Sequence, residues 1–192
     1  MSNDDEREAQ LQAVTIGPLD RVEGGVILHE YDARWPGEFA REAERIRSAL
    51  GERVLRLEHV GSTAVPGLVA KPRIDLLLVV ADPADEPAYV PDMEAAGYRL
   101  WIREPEWFEH RVFKGPDTNI NLHVFGPGSP EIERLLRFRD HLRVNRADRE
   151  LYAATKRELA TREWRHMQDY ADAKTEVVEA IAARAGLPPR VD

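Results

Sequence analysis

The chain has 192 residues, a length for one domain with appendages or for two very small ones, and its 43% hydrophobic and 32% charged content excludes a wholly disordered polymer. It contains no cysteine, which removes disulfide scaffolds, thiolate metal sites, thiol nucleophiles and iron–sulfur clusters together. With 27 Lys plus Arg against 35 Asp plus Glu, the net charge of −8 repels a polyphosphate backbone, so general nucleic-acid binding is not expected, while a local basic pocket stays open.

The first residues, MSNDDEREAQ, lack the basic and apolar regions of a secretory signal. No apolar run reaches the roughly 20 residues that span a bilayer. The expectation is a cytoplasmic protein with no membrane partner. Residues 1–24 read as a loosely ordered arm, with Leu11, Val14, Ile16 and Leu19 available to dock. Val26-Ile27-Leu28, flanked by glycines and a polar turn, predicts a first strand. Asp32 to Pro36 opens a helix in which Phe39, Ala43, Ile46 and Leu50 recur at helical spacing up to Gly51, with the run Glu42 to Arg45 on a solvated face.

Val54, Leu55, Leu57 and Val60 predict the next strand, which ends in a Gly-Ser-Thr turn. Ile74 to Val80 reads IDLLLVV, a central strand buried on both faces. A loop from Asp82 to Pro91 leads to a short helix around Met93 that stops at Gly97. Tyr98 to Ile102, Arg111 to Lys114 and Ile120 to Phe125 predict strands, the last two an antiparallel hairpin around Gly115-Pro116-Asp117. Ser129 as N-cap, Pro130 at the first helical position and Glu131 and Glu133 behind it start a helical region. Asn145 caps a second helix, and a third starts near Asp169. The class is α+β: a small mixed β-sheet with flanking helices and a helical C-terminal part, one domain over 25–187 with a tail at 188–192.

Chemistry is densest between Glu58 and Asp75, EHVGSTAVPGLVAKPRID. Gly61 permits a tight turn, and Ser62 and Thr63 set hydroxyls beside free backbone N–H groups, which suits an anion such as phosphate. Lys71 and Arg73 add positive charge ahead of Asp75, whose carboxylate on an aliphatic strand needs a metal, a base or solvent. The same residues also fit a plain structural turn with Asp75 in water, and spacing alone leaves both readings open. His123, opposite Leu122 and Val124 in an alternating strand, leans toward a site. His59 fits a pocket or a backbone hydrogen bond equally well. The segment from Arg103 to Arg111 reads as an aromatic lid or, more simply, as a loop that packs Trp107 on the body. A P-loop string is absent, which excludes kinase activity of that type.

The string Glu58-His59-Val60-Gly61-Ser62-Thr63-Ala64-Val65-Pro66-Gly67-Leu68, followed by Ala70-Lys71-Pro72-Arg73-Ile74-Asp75, resembles the central motif of the GrpB-like proteins. Tyr31-Asp32, Trp35-Pro36 and Phe39 resemble the family's opening motif, and Leu122-His123-Val124 its second histidine motif. Phe138-Arg139-Asp140-His141-Leu142, Tyr152 with Lys156, and Tyr170 with Lys174 resemble its helical tail. That family is similar to the nucleotidyltransferase superfamily, so the resemblance implies a nucleotidyltransferase-like fold that binds a nucleotide or phosphorylated small molecule and transfers a nucleotidyl group. It implies catalytic roles for Asp75 and Ser62, and phosphate contacts from Gly61, Ser62, Thr63, Lys71, Arg73, Arg139 and Lys174; the lid reading adds Arg111 as a phosphate contact. A divalent metal, magnesium or manganese with zinc as a third candidate, is expected on Asp75, His123 and His59, since carboxylate and neutral imidazole are compatible ligands.

The superfamily's paired carboxylates alternate on one strand face, where they hold metal ions against phosphates. Here the second position is Leu77, so the standard pair is incomplete. The alternative expectations are a non-catalytic accessory module, since similar segments occur fused to dephospho-CoA kinase, and a His/Asp metal-dependent hydrolase.

Overall fold

The computed structural model describes residues 3–22 and 24–190, so the final two positions of the expected tail lie outside the described residues. In chain order the elements are α1 (Asn3–Val14), α2 (Trp35–Leu50), β1 (Arg56–Val60), β2 (Ile74–Val79), α3 (Val90–Ala95), β3 (Arg99–Glu104), β4 (His110–Lys114), β5 (Ile120–Phe125), α4 (Pro130–Val144), α5 (Arg146–Ala160), α6 (Met167–Asp172) and α7 (Thr175–Arg184). The strands form one mixed sheet in the order β1-β2-β5-β4-β3, with β2 and β5 parallel and the other pairs antiparallel. This is the α+β arrangement that the patterning predicts.

Strand alternation divides the side chains of β2 between two layers. Ile74, Leu76 and Leu78 pack with Trp35, Ala43, Ile46 and Leu50 of α2 and with Met93 of α3. Leu77 and Val79 face the other way and pack with Phe125 and with Ile132 and Leu136 of α4. A further apolar cluster joins Val65, Leu68 and Val69, just after the Gly61 turn, to Leu142 of α4, Tyr152 and Ala153 of α5 and Ile181 of α7. The helical tail is thereby fixed against the second face of the sheet, opposite Asp75.

Several expectations are corrected. Val26 to Leu28 forms no strand: only His29 makes a single bridge, to Ala70, and Val26 instead packs on Leu159 and Tyr170. Half of the expected loose arm is helix α1, held by ion pairs from Arg7 to Asp169 and Asp172 and from Glu8 to Arg21 and Arg165. Gly17 sits so tightly on Trp101 that a Cβ there would lie 2.5 Å from the indole. The third tail helix is two, α6 and α7, broken at Ala173-Lys174. Ser129 occupies the N-cap position of α4, but its hydroxyl makes no capping bond and is buried without a partner among the described residues. Asn145 does cap α5, its Oδ1 accepting from the Asp148 amide at 3.0 Å.

Glu42, expected on a solvated face, is completely buried; it accepts from the Tyr98 hydroxyl at 2.6 Å and from Thr118 at 2.8 Å. Periodicity alone could not show this, because the partners lie more than fifty residues away. Glu42→Ala strands the buried Tyr98 hydroxyl, and we expect a loss of about 3 kcal/mol, read as a lower urea midpoint at unchanged slope.

Candidate functional site

Strand β1 delivers the chain to Gly61, which has φ +68° and ψ −170°, a region essentially reserved for glycine. Val60 pairs with Asp75, so the turn lies directly over the carboxylate: a Cβ at position 61 would stand 2.3 Å from Asp75 Oδ2. The single 3-10 turn that follows, Ser62–Ala64, carries Ser62 toward α5, where Lys156 Nζ donates to its Oγ at 2.8 Å.

Asp75 ends a polar row across three strands. Lys114 Nζ donates to Asn121 Oδ1 at 2.7 Å, and Asn121 Nδ2 donates to Asp75 Oδ1 at 3.1 Å. Burial raises the Asp75 pKa against the opposing pull of Lys71, Arg73, the Asn121 hydrogen bond and Lys114.

Three lysines face this carboxylate. Burial first, then repulsion from neighbouring cations, pushes Lys71 down to about 8 and Lys156 and Lys174 each to about 7. Lys156 is only 3% exposed. Among the described residues these ammonium groups find neutral partners and no ion pair. Lys156 lies over the Tyr152 ring at 4.9 Å; Lys174 donates to the Tyr170 carbonyl and lies over that ring at 4.0 Å; Lys71 lies over the same ring at 5.2 Å. The arm adds an anion. Asp20 Oδ2 is 3.0 Å from Arg73 Nη1 and 3.5 Å from Lys114 Nζ; burial would raise its pKa, but the two cations outweigh it and hold it below the usual carboxylate range.

The structure thus brings together Gly61, Ser62, Lys71, Arg73, Asp75 and Lys174 from the sequence-derived set. It does not bring in the rest. His59 pairs with Leu76 and so projects from the opposite face, where its ring stacks on Phe39 at 4.9 Å and its Nε2 bonds Thr63 Oγ1 at 3.0 Å. The Thr63 side chain goes with it. His123 shares the Asp75 face, but its Nδ1 is 3.0 Å from His110 Nε2, and His110 Nδ1 is 2.6 Å from Glu104. Burial, followed by His110 and Lys114, pushes His123 down to about 3.

Asp75, His123 and His59 therefore do not converge, and among the described residues no group of three His, Cys, Asp or Glu could hold a metal ion. One carboxylate beside three lysines, with buried Leu77 at the second position, does not fit the divalent centre that the resemblance implies. Arg111 lies on the α2 side of the sheet, paired with Glu86 at 2.7 Å and Glu109 at 3.2 Å. Arg139 braces the β1 edge, pairing with Glu58 and Asp140 and donating to the His59 carbonyl. Trp107 packs on Phe125 and His110 as part of the body and forms no lid.

Lys114, Tyr152, Tyr170 and Asp20 were not singled out as site residues from the sequence. One signal was present for the tyrosines: Tyr152/Lys156 and Tyr170/Lys174 share an i,i+4 spacing, which puts an ammonium over the ring one helical turn earlier.

These features define an α+β domain in which a glycine turn and an acid-bearing strand meet Lys156 and Lys174 of the helical tail. The family model described as GrpB protein matches residues 25–184, and the chain belongs to that family. A UPF0157 protein of Halalkalibacterium halodurans is 62% identical over 178 residues, covering 93% of this chain and 91% of that one. The crystal structure of the conserved protein GrpB from Enterococcus faecalis superposes with a TM-score of 0.74 at 32% identity, covering 83% of this chain and 96% of the other. A dephospho-CoA kinase of Mycolicibacterium paratuberculosis is 30% identical over 157 residues, 68% of this chain but 39% of the kinase. No helix among the described residues is long and apolar enough to cross a membrane.

Proposed function

We propose that the lysine cluster between the sheet and the helical tail binds the phosphate groups of a nucleotide or another phosphorylated small molecule. The supporting observation is buried Lys156 with half-buried Lys71 and Lys174, gathered around Ser62 and Asp75 with no ion pair among the described residues. An ammonium group held out of water without a counter-ion costs several kcal/mol, and a phosphate dianion is the partner that relieves it. In this reading Lys156 exchanges the Ser62 hydroxyl for a phosphate oxygen, Ser62 donates to a second oxygen, and Lys71 and Lys174 close on the remaining charge.

Nucleotidyl transfer has weaker support, because Leu77 stands where the second metal-binding carboxylate of that chemistry would be. Binding without transfer is also compatible with the similarity to a segment of dephospho-CoA kinase, given that this chain has no P-loop string. The test is calorimetric titration with inorganic pyrophosphate, ATP, dephospho-CoA and adenosine. The three phosphorylated compounds should bind and adenosine should not; failure of all three to bind overturns the reading.

The arm modulates the same charges. Asp20→Asn frees Arg73 and Lys114 from their carboxylate, so pyrophosphate affinity should rise about fivefold at low salt and less at high salt. Titration at two ionic strengths reads both changes.

A further inference from the structure

Tyr31, Pro36 and Phe39 of the opening motif and His59 are not used by the proposed phosphate site, yet they line a cavity of about 330 Å³ on the other side of β1, together with Glu58, Thr63, Arg139 and Arg143. That volume is in the range of a small-molecule pocket. Tyr31, Pro36, Phe39, Ala64 and Pro66 supply aromatic and apolar wall, Glu58 and Arg139 pair with each other, and His59 and Arg143 keep hydrogen-bonding atoms for a ligand.

The polarity of His59 follows from its neighbours. Thr63 Oγ1 lies 3.0 Å from His59 Nε2 and 3.4 Å from the Arg73 carbonyl; we assign its proton to that carbonyl and the imidazole proton to Nε2. Nδ1 is then a bare acceptor, with no partner among the described residues although His59 is only 8% exposed. Burial, then Arg143 and Arg139, pushes the His59 pKa down to about 4, so the ring is neutral and attracts a donor, not an anion. Arg143 spends Nε on the Ala64 carbonyl and Nη1 on Asp140, which leaves Nη2 as a donor.

We propose that this cavity is a second ligand site for a small planar ring carrying a cyclic amide: the ring N–H donates to His59 Nδ1 and its carbonyl accepts from Arg143 Nη2, between the Tyr31 and Phe39 side chains. The cavity is separate from the proposed phosphate site, and the probes carry no phosphate, so neither reading depends on the other.

The test is ¹⁵N–¹H NMR of the full chain titrated with uracil and with 1,3-dimethyluracil, which cannot donate. Uracil should shift the His59 ring nitrogen resonances with a dissociation constant of about 1 mM, and the dimethyl compound should bind at least about tenfold more weakly. Arg143→Gln at the rim should weaken uracil binding severalfold, and His59→Leu should abolish it in a protein that keeps its dispersed spectrum. If His59→Leu does not fold, the two-probe comparison on the native chain decides alone. Equal binding of both probes, no shift with uracil up to its solubility limit, or full uracil binding by a folded His59→Leu protein overturns the proposal.

Discussion

Lys156→Met is expected to lower pyrophosphate affinity at least about 100-fold while raising the stability of the unliganded protein by about 2 kcal/mol at neutral pH. The two effects share one cause. Among the described residues Lys156 is buried with Ser62 and the Tyr152 ring as its contacts, and its pKa has dropped to about 7 from an ordinary value near 10.5. Unfolding returns the ammonium to water, so the folded state carries the whole penalty below about pH 7 and sheds it as pH rises toward the unfolded value. Methionine keeps the volume and removes the charge. The gain in melting temperature should therefore be largest at pH 7 and shrink toward pH 10, and a thermal-denaturation series across that range checks the sign. A variant that is destabilised at every pH would mean that the Ser62 hydrogen bond outweighs the buried charge.

Gly61→Ala should cost about 3 kcal/mol and disturb the site at the same time. A side chain at φ +68° is strained, and the new Cβ would stand 2.3 Å from Asp75 Oδ2, forcing either the turn or the carboxylate to move. Since Asp75 accepts from Asn121, and Asn121 from Lys114, a displaced carboxylate loosens the polar row across three strands. Gly37→Ala in α2 is the control: nothing lies within 4 Å of its Cβ position, so it should be neutral or slightly stabilising. Urea midpoints of the two variants give the comparison.

The elements were legible in the sequence where one face of a segment met a continuous apolar layer. The helix carrying Ile46 and Leu50, the IDLLLV strand and the hairpin through Phe113 and Leu122 all announced themselves by periodicity. Val26 to Leu28 misled because an extended apolar triplet can pack on helices, here through Val26 on Tyr170, without pairing with a sheet. Glu42 and the arm misled because ion pairs and buried hydrogen bonds between distant residues leave no local pattern.

The turn at Gly61 and the approach of Asp75 could be read from a strand ending in Gly-Ser-Thr and an acid on an aliphatic strand. The side on which each imidazole falls could not. It depends on register, and His59 opposite Leu76 is one residue away from the Asp75 face. The lysines were visible as residues, but their concentration on one carboxylate depends on how α5 and the α6–α7 break dock onto the sheet.

Proton uptake tests the central claim most directly. A phosphate bound to lysines whose free pKa values are about 7, 7 and 8 raises those values, so at pH 8 binding must draw protons from solution. Calorimetric titration of pyrophosphate at pH 8 in two buffers of different ionisation enthalpy should give an uptake of about one to two protons per site, with affinity falling as pH rises from 7 to 9. Binding heats that do not depend on the buffer, with affinity flat across that range, would contradict the account.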